Sequence, residues 1–122
     1  MLKKILLVIA LLYTITLAVL SLLSSDDLPT FEVVNADKIA HIIAYALLCF
    51  LWYLFMKSTK FSKGLLIAAS AALIYGIILE VLQGILTEAR TPDMYDILAN
   101  CIGVAFISII LVIRNKSHVK NL

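Results

Sequence analysis

Three ionisable side chains stand where the sequence is otherwise apolar: His41, Glu80 and Asp96. Around them Asp37, Lys38, Tyr45, Gln83, Arg90 and Asn100 add further polar groups. These residue types can do two kinds of work. An imidazole among carboxylates is the set that general acid–base catalysis uses, one group taking a proton as another gives one. Arg90 and Lys38 can instead hold phosphate or carboxylate, the Arg as a planar fork, while the Asn100 and Gln83 amides can read sugar or amide groups. An acid–base trio of His41, Glu80 and Asp96 would suit hydrolysis or transfer. No convincing nucleophile accompanies it, since Ser70 and Ser108 lie toward the other end of their helices, so a water or a metal-bound hydroxide would have to attack. Asp37, His41, Glu80 and Asp96 could each ligate a metal. A single His among carboxylates is a weak zinc signature, however, and the sequence assigns no metal and no cofactor.

Spacing gathers these residues on shared faces. Asp37, His41 and Tyr45 are four apart, Glu80 and Gln83 three apart, and Asp96, Asn100 and Gly103 four and then three apart. Each set lies along one side of a helix. Counted from the ends of the apolar runs, His41, Gln83 and Asp96 form a layer roughly 3–5 Å deep, and Tyr45, Glu80 and Asn100 a second roughly 9 Å deep. Small residues accompany both: Ala68, Ala72 and Gly76 lead up to Glu80, Ala40 and Ala44 flank His41 and Tyr45, and Ala99 and Gly103 flank Asn100. Such ridges let helix backbones approach closely in lipid. The plain alternative is a set of ion pairs that lock the bundle. Interhelical hydrogen bonds in membranes average only about 0.6 kcal/mol, so six or more polar residues are a costly means to that end. Ionisable residues within a membrane mark function by default, and a ligand or catalytic site is the expectation.

The elements that must position these residues follow from composition. The chain has 122 residues, of which 63% are hydrophobic and 15% charged, with a mean hydropathy of +1.07. Soluble domains are about 45–50% apolar and about 25% charged. A soluble globular enzyme, a disordered tail and a nucleic-acid module are thereby excluded, and two Cys do not make a disulfide scaffold. Four apolar runs, at about 5–23, 39–56, 64–86 and 94–113, each approach the roughly 20 residues that a membrane helix needs. They are continuous rather than alternating, which favours helices over a β-barrel. The first run follows Lys3 and Lys4 as a signal peptide would, but it exceeds the usual apolar length and no A-x-A-like site follows it. The expected fold is all-α: one integral membrane four-helix bundle over residues 1–122. Segment 87–93 is short enough to make helices 3 and 4 antiparallel neighbours, with Arg90 over Glu80 and Asp96, and with Pro92 and Asp93 as the turn and cap that start helix 4.

Charge sets an orientation. With the N-terminus inside, the inner segments carry Lys3, Lys4, Lys57, Lys60, Lys63, Arg114, Lys116 and Lys120, eight of the ten cations and no acid. The outer segments carry Asp26, Asp27, Glu32, Asp37, Glu88 and Asp93, with Lys38 and Arg90. Lys and Arg excess marks the cytoplasmic side, so both termini are expected to be cytoplasmic and the polar site to lie under the outer surface. The basic rim suits anionic lipid headgroups and does not imply nucleic acid. Trp52, Tyr53 and Phe55 read as an interfacial aromatic belt, and Cys49 and Cys101 as buried small residues.

The combined pattern D37-K38-x-x-H41-x-x-x-Y45, E80-x-x-Q83 and R90-x5-D96-x3-N100-x2-G103 resembles the VanZ-like family over residues 37–113. The chain departs from it at Ala89, where a Gly usually precedes the loop Arg, and at Ile107, where a second Gly is expected. The resemblance implies a small multi-pass protein of the bacterial plasma membrane and cell envelope, in a family named for resistance to the glycopeptide teicoplanin. Three functions compete. The first is a site under the outer leaflet that binds a lipid-linked or amphiphilic ligand, among them a glycopeptide. The second is an intramembrane hydrolase or transferase acting on a lipid-linked envelope precursor through His41, Glu80 and Asp96. The third, a transporter, ranks last because polar residues fade toward the inner half. Membrane lipids are expected partners, and four helices are few to enclose a site, which makes a homodimer an expectation.

Overall fold

The computed structural model describes residues 1–22, 36–60, 62–86 and 94–120. They form four helices: α1 (Leu2–Leu22), α2 (Ala36–Ser58), α3 (Gly64–Leu86) and α4 (Met94–Lys120). Among the described residues there is no strand. All four helices are long and apolar enough to cross a membrane. That outcome follows from the solvent: a chain this apolar must satisfy its backbone N–H and C=O groups within each segment. Large side chains such as Ile43, Leu66, Ile85 and Phe106 point outward from the bundle, where lipid would cover them.

Three helices outrun their apolar runs, α1 by beginning at Leu2, ahead of Lys3 and Lys4. α2 begins at Ala36, so Lys38 lies within its first turns, and α4 continues through Arg114, Asn115 and Lys116 to Lys120. Cations in a last turn complement the helix dipole, and nothing in that tail breaks a helix. Asn115 also exchanges hydrogen bonds with the Tyr53 hydroxyl, which ties the extension of α4 to α2.

α2 and α3 pack against each other and each touches both α1 and α4, while α1 and α4 do not approach one another among the described residues. The α2–α4 interface is the most extensive. The two run parallel, since Lys38 meets Asp96, His41 meets Asn100 and Tyr53 meets Asn115. The small-residue ridges explain the close approach. A Cβ on Gly103 would fall 2.2 Å from the Ile42 carbonyl oxygen, and one on Gly76 would meet Asn100 and Tyr45 side chains at 2.9 Å. Ala68, Ala72, Gly76, Ala99 and Gly103 are all buried. Ala40 is exposed instead and does not line the site, because it stands on the far side of α2 from α4. At the position where a second glycine was expected, Ile107 packs half-buried against the core.

Two other expectations are corrected. Trp52 and Tyr53 are not a belt facing lipid headgroups: the Trp52 indole donates to Thr14 Oγ1 on α1 at 2.9 Å, and Tyr53 is buried with its hydroxyl on Asn115. Each ring carries one polar atom that needs a partner inside the bundle, and that need turns it inward. Only Phe55 remains beside them, edge-on to Trp52. Polar groups therefore continue toward the Tyr53 end instead of fading out. Cys49 is fully buried, whereas Cys101 is only half-buried.

Candidate functional site

The polar residues of α2 and α4 meet at the end where these helices begin. Lys38 Nζ donates to Asp96 Oδ1 at 2.5 Å. One turn along, His41 Nδ1 lies 3.0 Å from Asn100 Oδ1, and His41 Nε2 lies 3.8 Å from Asp96 Oδ2. Since the Asn100 oxygen can only accept, that bond assigns a proton to Nδ1 and leaves Nε2 facing the carboxylate. Below His41 the Tyr45 ring lies parallel to the imidazole, with centroids 6.5 Å apart.

Burial is graded with depth. The Lys38, His41 and Asp96 side chains are 24%, 22% and 16% exposed. Tyr45 beneath them is 2% exposed, and Asn100, Glu80 and Gln83 are 3% exposed. Gly76 is what lets α3 reach this floor, because Asn100 and Tyr45 both press against the space where a side chain would be. Glu80 follows Gly76 by one turn and lies within electrostatic range of the Tyr45 hydroxyl. The outcome is a partly exposed, charged mouth over a buried, polar floor.

The structure thus brings Lys38, His41, Asp96, Asn100, Tyr45 and Glu80 to one place. Gln83 Nε2 is directed elsewhere, donating to the Ser21 carbonyl of α1 at 2.5 Å. Ser21 is in the last turn of α1, where helix carbonyls lack intrahelical partners, so Gln83 caps that helix. Arg90 and the Asp37 side chain lie outside the described residues, as do Pro92, Asp93 and the rest of the connection between α3 and α4. Among the described residues no three His, Cys, Asp or Glu side chains gather as a metal-binding group. Ser70 is exposed on α3, and Ser108 Oγ is buried beside Cys49, away from His41.

Sequence reasoning missed a second polar compartment, between α1, α2 and α3. Tyr75 donates to the Thr14 carbonyl at 2.5 Å, Tyr13 donates to the Ala44 carbonyl at 2.6 Å, and Thr14 Oγ1 accepts from Trp52 while donating to Ala10. Tyr45 lies within electrostatic range of both Tyr75 and Tyr13, so it stands where the two compartments join. The signals available were Tyr13, Thr14 and Thr16, hydroxyl-bearing residues near the centre of the first apolar run.

Chemically, the mouth offers an ammonium, a carboxylate and an imidazole whose Nε2 faces the carboxylate. It can hold a charged or hydrogen-bonding headgroup, and it can move a proton at His41 Nε2. A family model described as VanZ/LLP1 matches residues 4–115. No curated protein and no solved structure matches the chain. With nearly its whole length matched, the chain belongs to the VanZ/LLP1 family and is a multi-pass membrane protein.

Proposed function

We propose that this VanZ/LLP1 family member binds the headgroup of a lipid-linked or amphiphilic ligand between Lys38, His41 and Asp96, over a floor of Tyr45, Glu80 and Asn100. One observation carries the reading above the others: at one end of four membrane-length helices, partly exposed charged groups pass into fully buried polar ones. A headgroup can enter such a site from the interface while its chains stay in lipid. Membrane ion pairs kept only for packing would have no need of a partly exposed rim over a buried polar floor. The charge distribution supports an orientation with both termini in the cytoplasm, since Lys3, Lys4, Lys57, Lys60, Lys63, Arg114 and Lys116 are all exposed at the far end. In that orientation the site lies under the outer surface of the bacterial plasma membrane. There it could act on the envelope and contribute to protection against teicoplanin-type glycopeptides.

Native mass spectrometry of the purified chain tests the binding, reporting a co-purified amphiphile and the stoichiometry, dimer included. An amphiphile retained by the wild type and lost in Lys38→Met is expected, and bare protein in both would overturn the reading. In a glycopeptide-susceptible host, single changes at His41, Glu80, Arg90 or Asp96 should each lower protection at unchanged membrane levels. Unchanged protection in all four would remove the role in resistance.

A second reading, hydrolysis or group transfer on a lipid-linked precursor, is favoured by the imidazole being held between Asn100 and Asp96. In it, His41 Nε2 takes the proton of an attacking water and Asn100 fixes the ring. A product formed from envelope lipids by the wild type and absent with Glu80→Gln would bring this reading forward.

A further inference from the structure

We propose that Asp96 is an internal stand-in for a phosphate group: a phosphate-bearing headgroup takes Lys38, and the released carboxylate moves to His41 as one proton is taken up. This rests on the headgroup-binding reading above and names the chemistry of the headgroup.

One carboxylate here has two partners a turn apart on the same helix. Its Oδ1 is bonded to Lys38 Nζ, while its Oδ2 stops 3.8 Å short of His41 Nε2. That gap is too long for a hydrogen bond and small enough for a side-chain rotation to close. Lys38, His41 and Asp96 are the exposed members of the site, so an entering group meets the ion pair before it meets the floor. A neutral hydroxyl offers the ammonium no charge in exchange for the carboxylate it would displace. A phosphate can, because it brings its own negative charge and several acceptor oxygens.

The released Asp96 then needs a cation. The groups around His41 are Lys38 and Tyr45 on α2, Asp96 and Asn100 on α4, and Glu80 of α3 beside Tyr45. Nδ1 is already committed to the Asn100 oxygen, and Asn100 is buried and pressed against Gly76. The added proton therefore goes to Nε2, the nitrogen that faces Asp96. It comes from solvent. Charge balances: phosphate is paired with Lys38, and the carboxylate with the imidazolium. No bond to phosphorus is made or broken.

The test uses the full chain in phosphatidylcholine nanodiscs, carrying His118→Gln so that His41 is the one remaining His of the two. Nitrogen NMR of isotope-labelled histidine follows the ring, and calorimetry in two buffers of different ionisation enthalpy counts protons. The probes are dioctanoyl phosphatidic acid, dioctanoylglycerol and inorganic phosphate. Phosphatidic acid should bind, move Nε2 to its protonated position and take up about one proton, while dioctanoylglycerol leaves His41 unmoved. Lys38→Met should weaken phosphatidic acid about tenfold or more, the loss of a charge-assisted contact, and Lys38→Arg should retain it. Asp96→Asn should still bind, with Nε2 unmoved.

Undiminished binding in Lys38→Met, or a His41 response that survives in Asp96→Asn, overturns the exchange. Equal binding of phosphatidic acid and dioctanoylglycerol with His41 unmoved also overturns it, and leaves the headgroup reading standing. An equal response to inorganic phosphate alone upholds the exchange and overturns the headgroup reading. Binding of none of the three overturns the exchange as well.

Discussion

Adding one methyl group at Gly103 should pull the site apart. A Cβ there would lie 2.2 Å from the Ile42 carbonyl oxygen and 3.0 and 3.1 Å from its C and Cα. All three are backbone atoms, so no rotamer change relieves the clash. Ordinary carbon contact begins at 3.4 Å, so α2 and α4 must part by roughly 1 Å at this crossing. Ile42 adjoins His41 in sequence, and Asn100 precedes Gly103 by one turn. A 3.0 Å bond between His41 and Asn100 would then stretch to about 4 Å, beyond hydrogen-bond reach. Overpacking costs about 1–3 kcal/mol and a lost interhelical bond about 0.6 kcal/mol, which places Gly103→Ala roughly 2–4 kcal/mol below wild type. Unfolding in mixed micelles, followed by the fluorescence of the one Trp, gives the stability, and the His41 ring resonances report the bond. Gly76→Ala is the control. Its neighbours at 2.9 Å are the Asn100 amide nitrogen and the Tyr45 ring, side-chain atoms that can yield, so it should cost only about 1 kcal/mol. A Gly103→Ala protein that unfolds with wild type and keeps the His41–Asn100 bond would refute the close α2–α4 contact and the site built on it.

Two further outcomes follow from local geometry. Thr14→Val leaves the Trp52 indole without its acceptor; the N–H vibration of that single indole should move to its unbonded position in ultraviolet Raman spectra, with a loss of about 0.5–1 kcal/mol, and an unmoved band would contradict the contact. Lys60 holds a left-handed backbone, φ 60°, two residues beyond α2 while its amide donates to the Lys57 carbonyl; Lys60→Gly should raise stability by about 0.5–1 kcal/mol in thermal unfolding, and a loss would show that the side chain matters more than the strain.

The helices were legible because lipid leaves so few choices. A continuous apolar run of about 20 residues has essentially one fold, and the third run coincides with Gly64–Leu86. The end of α4 was harder to read, since hydropathy marks the limit of the membrane and not of the helix. The α2–α4 half of the site was legible for a related reason. Ionisable residues stand out against an apolar background, and helical spacing fixes which of them share a face. Sequence cannot say which cation an acid chooses. Lys38 reads as a ligand-binding cation, yet it already holds Asp96. Nor does an aromatic near a helix end announce whether it faces lipid or protein: Trp52 and Tyr53 turned inward because partners on α1 and α4 were within reach.

α1 was hidden more deeply, for a reason that bears on the site. Ala10 is its one buried residue, so burial does little to hold it. Two side chains of α3 fasten it instead, Tyr75 at the Thr14 carbonyl and Gln83 at the Ser21 carbonyl. Backbone carbonyls are present whatever the residue, so residue types alone do not show which carbonyls of α1 are bound. Gln83 shares α3 with Glu80 and is three residues away, and Tyr75 shares Tyr45 as a neighbour with Glu80. Any displacement of α1 therefore withdraws support from the α3 face that carries the floor of the site. A helix that contributes no group to the mouth still helps set the position of Glu80, through its bonds to Tyr75 and Gln83 on α3.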